Sequence, residues 1–340
     1  MKVLNYSIDF SEALHDINTK KYTTILLQLP DGLKMKAASI LDELQHETKA
    51  SIILAADPCY GACDIPCVTY IKQVAIDAII QVGHTPIPSM NIPKDLPVYF
   101  VNAQSNHMVD DIINKSLAYL DGKKIGVLTT AQHLHVLPHV STLLKENGFQ
   151  PIISNGDSRI SEEGQILGCN FSSAEHIKDQ VDSFLFIGSG VFHPIGINLS
   201  TQKPVIIADP YTQQVKKQGL DKIIHTILKQ RSAAIELAKQ AQIFGIIIGL
   251  KPGQQRMQTA IELNQILENH RRKPILIAAE TITPAGLQSF SEIDCFVSTA
   301  CPRIAIDDYI IYEKPIITPV ELMVAFEKIT WESYLFDTFY

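Results

Sequence analysis

The chain has 340 residues, 46% of them hydrophobic and 19% charged, which supplies material for several buried cores and excludes a disordered chain. Its formal charge of −7 provides no global basic surface, so nucleic acid as a main substrate is disfavoured, although a local basic patch could still meet a protein or RNA partner. The N-terminal Met1-Lys2-Val3-Leu4-Asn5-Tyr6 turns polar at once and no apolar run approaches the roughly 20 residues of a bilayer span. A cytoplasmic protein is expected, in which six cysteines speak for metal ligation or buried thiols rather than disulfides.

Short β-branched runs alternate with helical stretches, the pattern of parallel βαβ units. Thr24–Leu29 reads as a strand, followed by Pro30-Asp31-Gly32 and an amphipathic stretch to about Glu47. Ser51–Ala55 is a second strand, another helix leads to Ala78–Val82, and Val98–Val101 closes the set. The order recurs from Lys124–Leu128, with later runs at Pro151–Ile153, Phe184–Ile187 and Val205–Ile207. A helical stretch from about Lys216 to Gln242 leads to a third series, opened by a strand through Ile247-Ile248 and continued by Pro274–Ile277, Cys295–Val297 and Pro315–Ile317. First and second strands start about 27 residues apart in the first two series and about 30 in the third. The expected fold is α/β: three similar small domains, 1–105, 106–215 and 216–340, each with roughly four parallel strands flanked by helices.

Ligands of open parallel sheets gather beyond the carboxyl ends of the strands. Those ends carry Asp31, Asp57 with Cys59, and Gly83-His84 in the first series. The second carries Gln132-His133, Cys169 in the loop beyond its second strand, and Gly188-Ser189-Gly190. The third carries Lys251, Glu280 and Cys301.

Cys59, Cys63 and Cys67 form a Cys-x3-Cys-x3-Cys run. It is one residue longer than the usual radical S-adenosylmethionine motif, and Cys63 and Cys67 could share a buried helical face. Cys295, inside a strand run, reads as a small buried hydrophobe. Cys59, Cys169 and Cys301 differ: each lies in a strand-end loop, one per series, separated by 110 and 132 residues. Three thiolates suit a 4Fe–4S cluster with one open iron, since full ligation takes four. Three protein ligands with an open position equally suit catalytic zinc, and the pattern alone does not separate the two.

Ala56-Asp-Pro-Cys-Tyr-Gly-Ala-Cys-Asp64, Val82-Gly-His84, Gly164-Gln-Ile-Leu-Gly-Cys169, Phe186-Ile-Gly-Ser-Gly-Val-Phe-His-Pro194 and Thr299-Ala-Cys-Pro-Arg-Ile-Ala-Ile-Asp-Asp308 resemble the archaeal diphthamide-synthesis enzyme family over nearly the whole chain. Ser189 stands where that family more often carries glycine. The resemblance implies three domains meeting at a central 4Fe–4S cluster ligated by Cys59, Cys169 and Cys301, with Cys63 not binding iron, in a homodimer. It implies cleavage of the co-substrate S-adenosylmethionine, which releases methylthioadenosine and a 3-amino-3-carboxypropyl radical. That radical adds to imidazole C2 of a histidine of translation elongation factor 2, with electrons from an unidentified donor.

For S-adenosylmethionine the candidate contacts are Gly83, His84, Gln132, Gly188, Ser189, Gly190, Lys251 and Arg303. Gly188-Ser189-Gly190 lacks the third glycine of a dinucleotide fingerprint and reads first as a tight turn that lets backbone approach a ligand. Lys251 and Arg303 suit a substrate carboxylate, the latter through its bidentate fork, but also read as loop charges facing solvent. His193, beside Pro194, is a further site-proximal histidine. His133, His135 and His139 have metal-like spacing, but Pro138 breaks a continuous helix, so surface or site-supporting roles are expected. The aromatic tail from Trp331 is expected to pack on its own domain or on a dimer partner. Two rival functions fit the same pattern: a quinolinate-synthase-like dehydratase and a non-catalytic cluster-binding subunit.

Overall fold

The computed structural model describes residues 1–66, 71, 73–92, 95–216 and 220–339. Cys67 and part of the helix expected ahead of Ala78 lie outside the described residues. In chain order the strands are β1 (Lys2–Val3), β2 (Tyr6–Ile8), β3 (Thr24–Gln28), β4 (Ser51–Leu54), β5 (Ala78–Val82), β6 (Val98–Val101), β7 (Ala103–Ser105) and β8 (Lys124–Thr129). There follow β9 (Gln150–Ile152), β10 (Ser183–Ile187), β11 (Val205–Asp209), β12 (Gln214–Lys216), β13 (Ile243–Gly249), β14 (Lys273–Ala279), β15 (Cys295–Ser298) and β16 (Ile316–Ile317).

Three sheets are built on one plan. Their strand orders are β4-β3-β5-β6, β9-β8-β10-β11 and β14-β13-β15-β16, all with parallel pairing. In each, the second strand flanks the first on one side and the third flanks it on the other. The expected α/β class with parallel sheets is therefore found. The second sheet carries a fifth strand, β12, antiparallel to β11. A small antiparallel sheet, β1-β2-β7, was not foreseen; strands of two and three residues show no periodicity in sequence.

The central strands read as near-continuous apolar runs because helices cover both faces. β5 and β10 are buried at every position. The Ala37–Glu47 helix turns Ile40 and Leu44 onto Ile25, Leu27 and Ile80. The Leu137–Glu146 helix does the same with Leu137, Val140 and Leu144 against Ile125, Val127 and Leu185. Spacings of three and four residues place these side chains on one helical face. The third sheet's core includes Ile247, Phe296 and Ile316 with Leu287 and Ala305.

Two compact units make up the chain. The first comprises Met1–Leu167, Ser172–Gly190 and Lys203–Lys217 and holds β1 to β12. The second comprises Gly168–Phe171, Val191–Gln202 and Gln218–Tyr340 and holds β13 to β16. The long helical stretch expected near Lys216 is the Leu220–Gln240 helix of the second unit.

Candidate functional site

Crossing from the first strand to the third reverses the direction of winding in each sheet, and ligands of such sheets lie at that switch point. In the first sheet the switch loops begin at Leu29 and Gly83, in the second at Thr130 and Gly188, and in the third at Leu250 and Thr299. Gly83, His84, Gln132, Gly188, Ser189, Gly190, Lys251 and Cys301 all stand on or beside these loops, with Arg303 two residues further on. The strand ends are thus where the residue pattern put them.

In the first unit the loops are tied to one another. Gln132 Nε2 donates to the Gly83 carbonyl at 2.9 Å, and Gln165 Nε2 donates to Thr85 Oγ1 at 2.5 Å. Gly83 has φ +88° and its Cα lies against Pro30, so a side chain there would be both strained and blocked. Cys59 is 2% exposed, and its Sγ stands 3.9 Å from His84 Nδ1. Burial pushes the His84 imidazole down to about 4, against the pull of Asp64 and a hydrogen bond with the Tyr60 backbone. His84 is therefore neutral near pH 7. Ser189 and Gly190 are exposed at the end of β10, with Gly190 at φ +80°.

The Cys59 loop is shaped by residues that the sequence did not flag. Buried Asp64 accepts hydrogen bonds from the Tyr60 and Gly61 backbone N–H groups at 2.7 and 2.9 Å. Below it, Gln28 Nε2 donates to the Asp64 carbonyl at 2.9 Å. Gln28 and Gln81 are register partners on β3 and β5. The signal was present: each glutamine interrupts an apolar strand run near its carboxyl end. Cys63 is half-buried in a turn rather than on a helical face.

In the second unit the Cys169 loop and the Cys301 turn meet. A Cβ at Gly168 would lie 3.2 Å from Phe192 Cε1 and 3.4 Å from Arg303 Cδ, so only a small residue lets these segments close. Arg303 Nε donates to Asp307 at 2.7 Å while its guanidinium lies 4.8 Å from the centre of the Phe192 ring. Gly249, at the end of β13, packs within contact of Ala300 and Gln254, and the Gln254 N–H donates to the Lys251 carbonyl. Lys251 is thereby held in the loop beside Ala300-Cys301. Cys169 and Cys301 are half-buried. Burial, with the charge of Arg303 acting in the same direction, pushes His193 down to about 4.

The remaining candidates separate cleanly. Cys295 is fully buried in β15 and burial pushes its thiol well up, so it is a packing residue. His139 bonds Asp110 at 2.8 Å on the surface. His133 is not a surface residue: it is 1% exposed, its ring packed edge-on against Tyr211. Among the described residues no three or more His, Cys, Asp or Glu side chains already converge as metal ligands. Cys59 belongs to the first unit, Cys169 and Cys301 to the second. Within each unit the donors suit a soft metal: thiols in strand-end loops, largely or partly screened from solvent, with the Cys169 and Cys301 loops meeting at Gly168 in the second unit.

Fold and site together define a parallel α/β protein that presents cysteine thiols at the carboxyl ends of its strands. The family profile described as diphthamide synthesis protein matches residues 29–335. The 2-(3-amino-3-carboxypropyl)histidine synthase of Pyrococcus horikoshii is 35% identical over 336 residues, covering 98% of this chain and 93% of that protein. The synthase of the same name from Methanocaldococcus jannaschii is 29% identical, covering 93% and 88%. The crystal structure of Dph2 from Pyrococcus horikoshii with a 4Fe-4S cluster superposes with a TM-score of 0.87 at 34% identity, covering 98% of this chain and 94% of that one. The chain belongs to the diphthamide synthesis family.

Proposed function

We propose that this chain is a 2-(3-amino-3-carboxypropyl)histidine synthase, a transferase acting in the first step of diphthamide formation. It takes the 3-amino-3-carboxypropyl group of S-adenosylmethionine and attaches it to imidazole C2 of a histidine on elongation factor 2. The observation that carries this reading is the 35% identity to a synthase of that name across 98% of the chain. Cys59, Cys169 and Cys301 are the ligands of a 4Fe–4S cluster, one from the stretch of chain that forms each of the three parallel sheets, with boundaries near 105 and 215. When bound, such a cluster supplies an electron to the sulfonium and an iron open to the methionine end of the co-substrate. Overall, one carbon–sulfur bond breaks, one carbon–carbon bond forms, methylthioadenosine and the C2 proton leave, and the electron given to the sulfonium is recovered when the imidazole adduct regains aromaticity.

The chain's own residues choose which bond breaks by orientation. Lys251 and Arg303 hold the carboxylate of the co-substrate, Arg303 exchanging Asp307 for it. Gly83, Gln132, Gly188, Ser189 and Gly190 admit the nucleoside against backbone. His84, neutral through burial, adds no positive charge beside the sulfonium cation. The protein works as a homodimer in the cytoplasm with a separate electron donor; among the described residues no helix is long and apolar enough to cross a membrane.

Anaerobic protein given reductant and S-adenosylmethionine should release methylthioadenosine, and elongation factor 2, when present, should gain the aminocarboxypropyl mass on one histidine. Predominant 5′-deoxyadenosine on chromatography would overturn the reading. Alanine at Cys59, Cys169 or Cys301 should each lower bound iron and visible absorption, while Cys63→Ala and Cys295→Ala keep both. Light scattering should find a dimer at micromolar concentration.

A further inference from the structure

We infer that the C-terminal tail, residues 334–339, is a strap that holds the Cys169 loop in its ligating geometry and so acts as a positioning element for the cluster. The inference rests on the reading of Cys169 as a ligand and goes beyond it. All the residues concerned lie in the second unit.

The tail reaches the loop by a two-way bridge. The Phe339 N–H donates to the Cys169 carbonyl at 2.8 Å, and Asn170 Nδ2 donates to the Phe339 carbonyl at 2.7 Å. The thiol-bearing residue and its neighbour are thus fixed by the last segment of the chain. Two residues upstream, Asp337 is 1% exposed and bridged by Arg256 at 2.5 and 3.1 Å, with the guanidinium 4.7 Å from the centre of the Phe339 ring. A buried carboxylate is costly unless paired and hydrogen-bonded, so this bidentate contact fixes where Phe339 can lie. Phe336 stacks on Phe192 at 5.8 Å, and Phe192 in turn lies against Gly168 and beneath Arg303.

Further back, the Tyr334 hydroxyl donates to Glu321, which is paired with buried Arg231. Arg231 donates to the carbonyl of Ala305, in the turn of helix that directly follows Cys301. One short segment is therefore anchored beside both cysteines of this unit. A tail that served only to cover apolar surface would need neither the buried ion pair nor the bridge to the Cys169 backbone.

The test uses the full anaerobic protein with its cluster. Asp337→Asn keeps the shape but removes the charge that positions Phe339, and Asn170→Ala removes half of the bridge. Each should speed iron loss to a chelator by about tenfold, the loss expected when a buried hydrogen-bonding group loses its partner, and should alter the electron paramagnetic resonance signal of the reduced cluster. The swapped pair Arg256→Asp with Asp337→Arg should recover part of the iron retention. A control, Ile113→Val in the first unit, should leave both readouts unchanged. Wild-type iron loss and signal in Asp337→Asn and Asn170→Ala, or equal changes in the control, would overturn the strap. Full iron retention in Cys169→Ala would instead overturn the ligand reading beneath it.

Discussion

His133 shows how a single side chain couples the fold to pH. It is buried against Tyr211, and neither ring nitrogen has a hydrogen-bond partner among the described residues. Burial, with His135 and His107 nearby and only Asp209 opposing, pushes it from 6.5 down to about 4. Its folded value lies below its unfolded one, so between these values the unfolded chain binds more protons. The stability His133 contributes is present above pH 6.5 and is lost as pH falls towards 4, by at most about 2 kcal/mol at pH 5. Urea unfolding at pH 7.5 and pH 5 should show that fall in the wild type and a flatter response in His133→Leu. An equal slope in both proteins would assign the effect elsewhere. Arg231 and Glu321 are the other costly pair, both fully buried at 2.6 Å. Glu321→Ala strands a buried cation and should lower stability by about 3 kcal/mol or more, read from the denaturant midpoint.

At the level of elements, the residue pattern was most informative where a strand is central. Ala78–Val82 could be read to the residue because its apolar run, broken only by Gln81, ends at Gly83. The strand ends located the thiols and glycines for the same reason. What remained illegible was set by neighbours distant in sequence. The edge strand β12 and the ribbon β1-β2-β7 take their state from the strands they pair with. Asp64 works through the Tyr60 and Gly61 backbone, which no spacing reveals, and the pairing of Gln28 with Gln81 emerges only once β3 and β5 lie side by side. The Phe192–Thr201 helix offers a sharp test of close packing. A methyl at Gly196 would overlap the Phe171 ring, so Gly196→Ala should lose about 1–3 kcal/mol despite its better helix propensity, seen as a lowered melting temperature. Unchanged or raised melting would mean that Phe171 has room to move.

On the scale of the molecule, one strand order used three times sets where chemistry can be placed. Each sheet offers a switch point, and each was provided with polar or sulfur-bearing loops. The division into two compact units does not follow the order of the chain: Gly168–Phe171 and Val191–Gln202 come from the middle of the sequence yet join the C-terminal third. The bridge from Phe339 to Cys169 then has a consequence in time. Synthesis runs from the N-terminus, and domains generally fold as they emerge. The Cys169 loop is made well before Phe339, the residue that completes it. A nascent chain from which Phe339 has not yet emerged would carry that thiol in an unfinished loop. Cluster loading should therefore follow the emergence of Phe339, and stalled ribosome complexes in which Phe339 has not yet emerged should take up less iron than those in which it has.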